Sequence, residues 1–472
     1  MILVIDQGGH SSRVLVFADG GRLVTGAAEA VREHRQGSRV ELDADAIAAS
    51  IHRLLHRVRR RLGARASAVR AAALATQRST IVCWDRVTGA PLAPALSWQD
   101  LRAASFIRTL DRYATKVARL TGLRLSPHYG AGKMRWCLQH LPAVRAAARA
   151  GRLGIGPLSS FLTFRLTGGE SMVVDPANAG RTLLFNPAHG DWEDALLGIF
   201  GIDRALLPHC VPTRYDFGTL RWGRARLPLA LVSGDQSCAL YGHGAPDVDT
   251  VYMNAGTGAF LQRPIAGCPP NRRGLLVSQV YADAQRRQWV IEATINGAAS
   301  ALDWAEARLR LRGTASRLAG WMDRERAPPL FLNGVSGLGS PFWRARFRSR
   351  FVGAGSGPAR MVAVAESIVF LARTNVAIME ALGGTVRQLV VSGGLAQADG
   401  LCQRLADLCG MPVWRPDETE ATARGAAFLA AGQPGSWASP PGEEFRPGRN
   451  PALRRRYRRW RAGMARALAI SG

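Results

Sequence analysis

The sequence predicts an α/β protein built from two similar units in tandem. A strand–glycine turn–strand pattern opens the chain and returns about 250 residues later. Strands alternate with amphipathic helices between the two. A strand–Gly-Gly–helix unit follows towards the C-terminal end.

Taken in order, "ILVID" (2–6) reads as a buried strand and "QGGHSS" (7–12) as a glycine turn. "RVLVFA" (13–18) reads as a second strand, closed by the turn "DGG" (19–21). A helix is expected over 43–64. There Ile47, Ile51, Leu54, Leu55, Val58 and Leu62 recur at helical spacing, with Asp43 at its start and Gly63 near its end. "WDRVTGAP" (84–91) reads as a hairpin on a glycine turn, with Trp84 in the core. In "LALVSGDQSCAL" (229–240) a strand runs into a helix, which puts Asp235 at a strand end, where α/β proteins place their ligands. The joint is expected near "GHGAPDVDT" (242–250), giving domains 1–246 and 247–472. The second hairpin is "TVYMNA" (250–255), "GTG" (256–258) and "AFLQRP" (259–264). A long apolar-faced helix over 361–382 is closed by Gly383 and Gly384. Then come a strand, "LVVS" (389–392), a turn, "GGLAQ" (393–397), and a helix over 399–410 stopped by Gly410. That geometry lets backbone N–H groups approach a ligand closely.

Composition narrows the classes. At about 150 residues per domain, 472 residues suggest two or three domains. Apolar residues at 47% and charged residues at 21% support an ordinary globular core and argue against general disorder. The apolar runs fall short of the ~18 residues of a membrane span. The start has no basic n-region and no long apolar h-region, so no signal peptide is expected. Seven scattered cysteines without a CxxC argue against a disulfide framework and a cysteine zinc site, and a reducing cytoplasm is the expected setting.

The net charge is +27, and Lys116 and Lys133 are the only lysines among 62 basic residues. With abundant Ala and Gly, this arginine skew reads as compositional bias more than as charge selected for binding. The densest runs are 343–351 and 454–461. "RRRYRRWR" (454–461) has the aromatic interleaving of a nucleic-acid binder, and equally the pattern of a solvated helix face with two packed aromatics.

These features suit phosphoryl transfer. Glycine turns cradle phosphate oxygens without a Cβ clash. Asp6 is placed to hold a metal-bound water, and Asp235 to accept a proton from an attacking hydroxyl. Mg²⁺ would offset charge on the moving phosphoryl group. Against this stand a turn that is only a turn and an Asp that only caps a helix.

Nine blocks then occur in order: "IDQGGHSSR" (5–13), "TQRSTIVCWDRVTGAPL" (76–92), "LSWQD" (96–100), "DPANAGRTLLFN" (175–186), "GDQSCALYG" (234–242), "GTGAF" (256–260), "SGLGSPFW" (336–343), "SGGLAQ" (392–397) and "RPDETEATARGAAFLA" (415–430). With them the chain resembles the FGGY carbohydrate kinases, and among those most the glycerol kinases. The resemblance implies two actin-like (ribonuclease H-like) ATPase domains with an interdomain cleft. It implies ATP and Mg²⁺ as cofactors, a polyol or sugar acceptor bound mainly by the first domain and nucleotide held mainly by the second. It also implies a homo-oligomer, dimer or tetramer, in the cytoplasm, with no membrane or nucleic-acid partner.

Residue by residue, the resemblance makes Asp235 the catalytic base and Asp6 the metal-side carboxylate, with Asp235 also near the metal. Arg78 and Gln236 face the acceptor, and Phe260 forms an aromatic wall against its carbon chain; Trp98 either lines the acceptor pocket or only packs. Gly8, Ser11, Arg13, Gly256, Thr257, Gly258, Gly393 and Gly394 lie along the nucleotide. At other matching positions the residue differs. Gly9 and His10 stand where glycerol kinases have two Thr, Ser79 for a Glu and His128 for a Tyr. On the nucleotide side Ala299 stands for a Gly, Asp303 for a Gln and Ala398 for an Asn. Replacing Glu by Ser removes a charge and leaves room, which favours a longer polyol or a ketose over glycerol. A catalytically weak relative that binds nucleotide or sugar as a regulator is the alternative, and a nucleic-acid contact through the arginine-rich tail is a third reading.

Overall fold

The computed structural model describes residues 1–269, 272–437 and 439–470. The chain forms two compact units. Unit 1 is Met1–Ala245 with Val277–Trp289 and Glu420–Ser439, and unit 2 is Pro246–Leu276 with Val290–Thr419 and Pro440–Gly472.

Unit 1 is built on β1 (Ile2–Gln7), an apolar run buried along its whole length. It pairs antiparallel with β2 (Ser11–Phe17), which pairs with β3 (Leu23–Ala30). The expected helix is α1 (Ala44–Leu62), where the Asp43 carboxylate accepts from the Ala46 N–H and Gly63 ends the helix. Its apolar stripe is buried in one core with Leu3, Ile5, Val14 and Val16 of the sheet. Each such side chain contributes about 1.5–3 kcal/mol relative to exposure. β4 (Ala71–Thr76) runs parallel to β1. After it come β5 (Ile81–Asp85) and α2 (Gly130–His140). Trp84 is fully buried, and Asp85 folds the hairpin by accepting from the Val87 and Thr88 N–H groups. β6 (Ala225–Gly234) runs parallel to β4 on its other side and leads directly into α3 (Asp235–Ala239).

Three adjacent parallel strands therefore finish level. Gln7 and Gly234 both lie opposite Thr76 in register. The helix Ala421–Ala430 returns to this unit from late in the chain and packs on α3. A Cβ at Gly425 would lie 1.9 Å from the Cys238 carbonyl oxygen, so only glycine permits this approach.

Unit 2 repeats the arrangement. β7 (Thr250–Ala255) and β8 (Ala259–Ile265) form an antiparallel hairpin. α4 (Ala299–Leu309) and the 27-residue α5 (Gly357–Gly383) follow. β9 (Gln388–Ser392) then lies parallel to β7, with Asn254 opposite Ser392. α6 (Asp399–Cys409), β10 (Val413–Pro416), β11 (Gly442–Phe445) and α7 (Pro451–Ile470) follow, and these five strands run β8-β7-β9-β10-β11 within a seven-stranded sheet that continues beyond β8 through strands Arg287–Ile295 and Leu276–Ala282. α5 is long and apolar enough to cross a membrane by length and composition, and 78% of its most apolar window is buried in the fold.

The arginine-rich run 454–461 lies in α7. Trp460 is buried and donates its indole N–H to the Phe331 carbonyl at 2.9 Å, while Tyr457 stacks beside it. Arg454, Arg455, Arg458 and Arg459 face solvent. Arg456 turns inward, where with Arg404 it neutralises the buried Glu366. The two aromatics serve the core, and the outer face is solvated. All seven cysteines are free thiols.

Candidate active site

The level carboxyl ends of β1, β4 and β6 bring Asp6, Arg78 and Asp235 to one end of the sheet. Asp235 is the first residue of α3, behind Gly234 as N-cap. Its carboxylate accepts from the Gln236 N–H at 2.7 Å and lies 3.9 Å from Nε of Arg78. The Arg78 guanidinium also donates to Oε1 of Gln236, which fixes the amide beside the carboxylate. Burial raises the pKa of Asp235 above the ordinary carboxylate value, although Arg78, the Gln236 N–H and Arg181 oppose it. The result is a carboxylate that takes up a proton more readily than an exposed Asp.

Asp6 is 1% exposed. Arg13 bridges it to Glu420, with one nitrogen 2.5 Å from the Asp6 carboxylate and another 2.5 Å from that of Glu420. Burial pushes Asp6 up to about 6; Arg13 pulls it down, and the charge of Asp235 pushes it up further. Asp6 therefore feels the charge of Asp235.

The first glycine turn closes with the Gly8 N–H on the Ser11 carbonyl at 3.0 Å. His10 is exposed and offers its carbonyl to the Val31 N–H. A Cβ at Gly9 would lie 3.6 Å from the indole nitrogen of Trp98, so that ring, 41% exposed, runs alongside the turn. Ser79 is buried at φ +66°, and its hydroxyl donates to the Arg181 carbonyl at 3.4 Å. His128 is exposed, with Nδ1 3.4 Å from the Trp98 carbonyl. Unit 1 thus brings Arg78, Ser79, Trp98, His128, Asp235 and Gln236 into one connected set.

Unit 2 does the same with glycines. The turn Gly256–Gly258 joins β7 to β8 and closes with the Gly256 N–H on the Gly258 carbonyl at 2.9 Å. Its carbonyls seat α4: Gly256 accepts from the Ala299 N–H, and Thr257 from the N–H groups of Ala298 and Ser300. Asp303 is exposed on the next turn of α4. Gly393 follows β9 at φ +91°, and a Cβ there would lie 2.6 Å from the Ala255 carbonyl oxygen. A Cβ at Gly394 would meet nothing within 4 Å, so that backbone is open. Ala398 is the N-cap of α6. Phe260 is half-buried on β8 and therefore belongs to unit 2.

Two site residues escaped the sequence reasoning. Arg181 acts on Asp235 and holds Ser79 through its carbonyl. Glu420 shares Arg13 with Asp6 across 407 residues of sequence. Both stand inside blocks that carry the family resemblance, which was the only signal available for them.

Comparison with known proteins identifies the family. The model of the FGGY family of carbohydrate kinases, N-terminal domain, matches residues 1–242, and that of its C-terminal domain matches 251–433. A glycerol kinase of Allorhizobium ampelinum is 36% identical over 454 residues, covering 92% of this chain and 90% of that protein. One of Xanthobacter autotrophicus is 34% identical, covering 100% and 97%. The crystal structure of Plasmodium falciparum glycerol kinase with ADP shares the fold at a TM-score of 0.90 and 22% identity, covering 99% and 98% of the two chains. A xylulose kinase from Rhodospirillum rubrum does so at 0.88 and 19%, covering 99% of each. By both domain models and by relatives that span nearly its whole length, the chain belongs to the FGGY family of carbohydrate kinases.

Proposed function

We propose that this FGGY kinase transfers the γ-phosphoryl group of ATP to a hydroxyl of a longer polyol or a ketose, with Asp235 as general base. The observation that carries the reading is Asp235 itself. It lies at a strand end, partly exposed, raised in proton affinity by burial and flanked by Arg78 and Arg181. Arg78 and Gln236 orient the acceptor. As the acceptor oxygen bonds to the γ-phosphorus, its proton passes to the Asp235 carboxylate and the bond from that phosphorus to ADP breaks. The glycine turns 256–258 and 393–394 let phosphate oxygens approach the backbone in unit 2 through N–H groups other than that of Gly256, and the Gly8–Ser11 turn serves the phosphate side in unit 1.

Magnesium supplies positive charge to the phosphates when bound. Asp6 and Asp235 fit it, because the charge of Asp235 raises the proton affinity of the buried Asp6 and a divalent cation would relieve that repulsion. Such an ion takes its remaining ligands from phosphate and water, so a larger protein cluster is not required.

Acceptor choice rests on Ser79. A serine in place of the glutamate of glycerol kinases removes one charge beside Arg78 and Arg181 and shortens the side chain, which admits a longer carbon chain.

The test is ADP release from Mg-ATP with glycerol, erythritol, ribitol, xylulose and ribulose as acceptors, run beside Asp235→Asn. Turnover with a longer acceptor, reduced about a hundred- to ten-thousand-fold in the variant while ATP still binds, is the expected result. A fully active variant overturns the role of Asp235. Silence of the wild-type protein on every acceptor overturns the proposed function.

A further inference from the structure

Lys133 is one of two lysines in a chain dominated by arginine, and it is completely buried. It lies one turn into α2, whose first N–H groups dock on the 181–182 segment: Gly130 on the Arg181 carbonyl at 3.1 Å and Ala131 on that of Thr182 at 2.7 Å. An ammonium has three N–H donors. Here all three are spent on backbone carbonyls: Ser79 at 2.9 Å, Ser97 at 2.7 Å and His128 at 2.8 Å. These carbonyls come from three separate stretches of chain, and each stretch carries one part of the acceptor-facing set: Arg78 with Ser79, Trp98, and His128.

Burying an ammonium is costly unless every proton finds a partner. Three carbonyls converging on one point demand a compact tetrahedral donor, which the planar fork of arginine does not supply. That explains a lysine in a sequence that otherwise places arginine at nearly every basic position.

We propose that Lys133 is a positioning residue for the acceptor, its ammonium pinning the Ser79, Ser97 and His128 carbonyls together and so setting the spacing of Arg78, Ser79, Trp98 and His128. This rests on the reading of that set as the acceptor site. It concerns binding of the acceptor, not the phosphoryl step and not the nucleotide.

The surroundings make the device sensitive to pH. Burial draws Lys133 down to about 7, opposed by Asp100; Arg102 lowers it further, and Cys137 lies one turn along the same helix. Arg102 holds Asp100 below the ordinary carboxylate range, so both stay charged above pH 6. The His128 ring is lowered as well and stays neutral above its ordinary value. Lys133 therefore loses its charge as pH rises through about 7, and a neutral amine keeps only two of three donors.

The experiment compares wild type with Lys133→Met, measuring KM for the best acceptor of the panel and KM for ATP. The expected result is an acceptor KM raised about tenfold or more, with the ATP KM unchanged within about twofold. A folded variant with an unchanged acceptor KM overturns the proposal, as does an equal rise in both constants, which would report general loosening. Should the variant fail to fold, the wild-type enzyme decides: its acceptor KM rises from pH 6.5 to 9 while its ATP KM stays level, and a flat acceptor KM overturns the proposal. Absence of wild-type turnover on every acceptor is a different failure. It removes the proposed function, and the acceptor role of Lys133 with it.

Discussion

In unit 1 the parallel strands β1, β4 and β6 finish beside Asp6, Arg78 and Asp235; in unit 2 the parallel strands β7 and β9 finish at Gly256–Gly258 and Gly393–Gly394. The strand plan is shared: an antiparallel hairpin, then a parallel neighbour reached through a long crossover. The contents are opposite. Unit 1 concentrates carboxylates and guanidiniums, and the guanidiniums oppose the rise that burial gives the proton affinity of Asp6 and Asp235. Unit 2 presents backbone, made accessible by glycines that pack directly on neighbouring carbonyls. One plan thus carries charged side chains in one place and open backbone in another. The division is chemical rather than topological, because strand ends position whatever residues the sequence puts there.

The largest effect on stability is expected from breaking the glycine side. Gly393→Ala must hold a Cβ at φ +91° and 2.6 Å from the Ala255 carbonyl oxygen. Strain and overlap together should cost about 3 kcal/mol in denaturant unfolding. Because the clash moves the Gly256–Gly258 turn, ATP affinity should fall while acceptor affinity holds. A variant with wild-type stability and ATP affinity would show that the turn is not set by this contact.

A smaller effect of opposite sign is expected on the charged side. The folded pKa of Asp6, about 6, lies above its unfolded value near 3.8. The native state therefore binds this proton more tightly than the unfolded chain, and stability falls as pH rises from about 4 to about 6. Asp6→Asn removes that fall. In magnesium-free buffer at pH 7 the variant should be more stable by about 2 kcal/mol, and its kinase activity should drop. A variant no more stable than wild type at pH 7 would mean that Arg13 and Glu420 already compensate the buried charge.

The comparison also separates what sequence makes legible from what it does not. Both hairpins, α1 with its Asp43 cap, and the β9–α6 unit could be read directly, because each depends on residues within a few positions of one another. Asp235 could be read for the same reason, from a strand running straight into a helix. Arg181 and Glu420 could not. Their roles arise when distant segments return, Glu420 at the head of a helix that packs on α3 through Gly425. Nor does any local pattern reveal that Lys133 meets three carbonyls, since backbone acceptors leave no trace in sequence.

Ser79 sharpens the comparison most finely. Beside β9 the positive-φ position is glycine, whereas beyond β4 it is Ser79 at φ +66°. A side chain in the left-handed region costs about 1 kcal/mol relative to glycine, partly offset by the extra freedom glycine has when unfolded. Ser79→Gly should therefore stabilise unit 1 by about 0.5 kcal/mol, since the hydrogen bond it forfeits, to the Arg181 carbonyl, is long at 3.4 Å. Ser79→Ala keeps the strain and loses the same bond, so it should be neutral or slightly destabilising. The pair isolates backbone cost from hydroxyl function. If the acceptor KM rises equally in both variants, the hydroxyl touches the acceptor, and its retention at a strained position is the trace of that contact. If neither variant moves the acceptor KM, Ser79 acts only by being smaller and less charged than glutamate. Ser79→Glu should then shift preference towards glycerol, which the same acceptor panel reads directly.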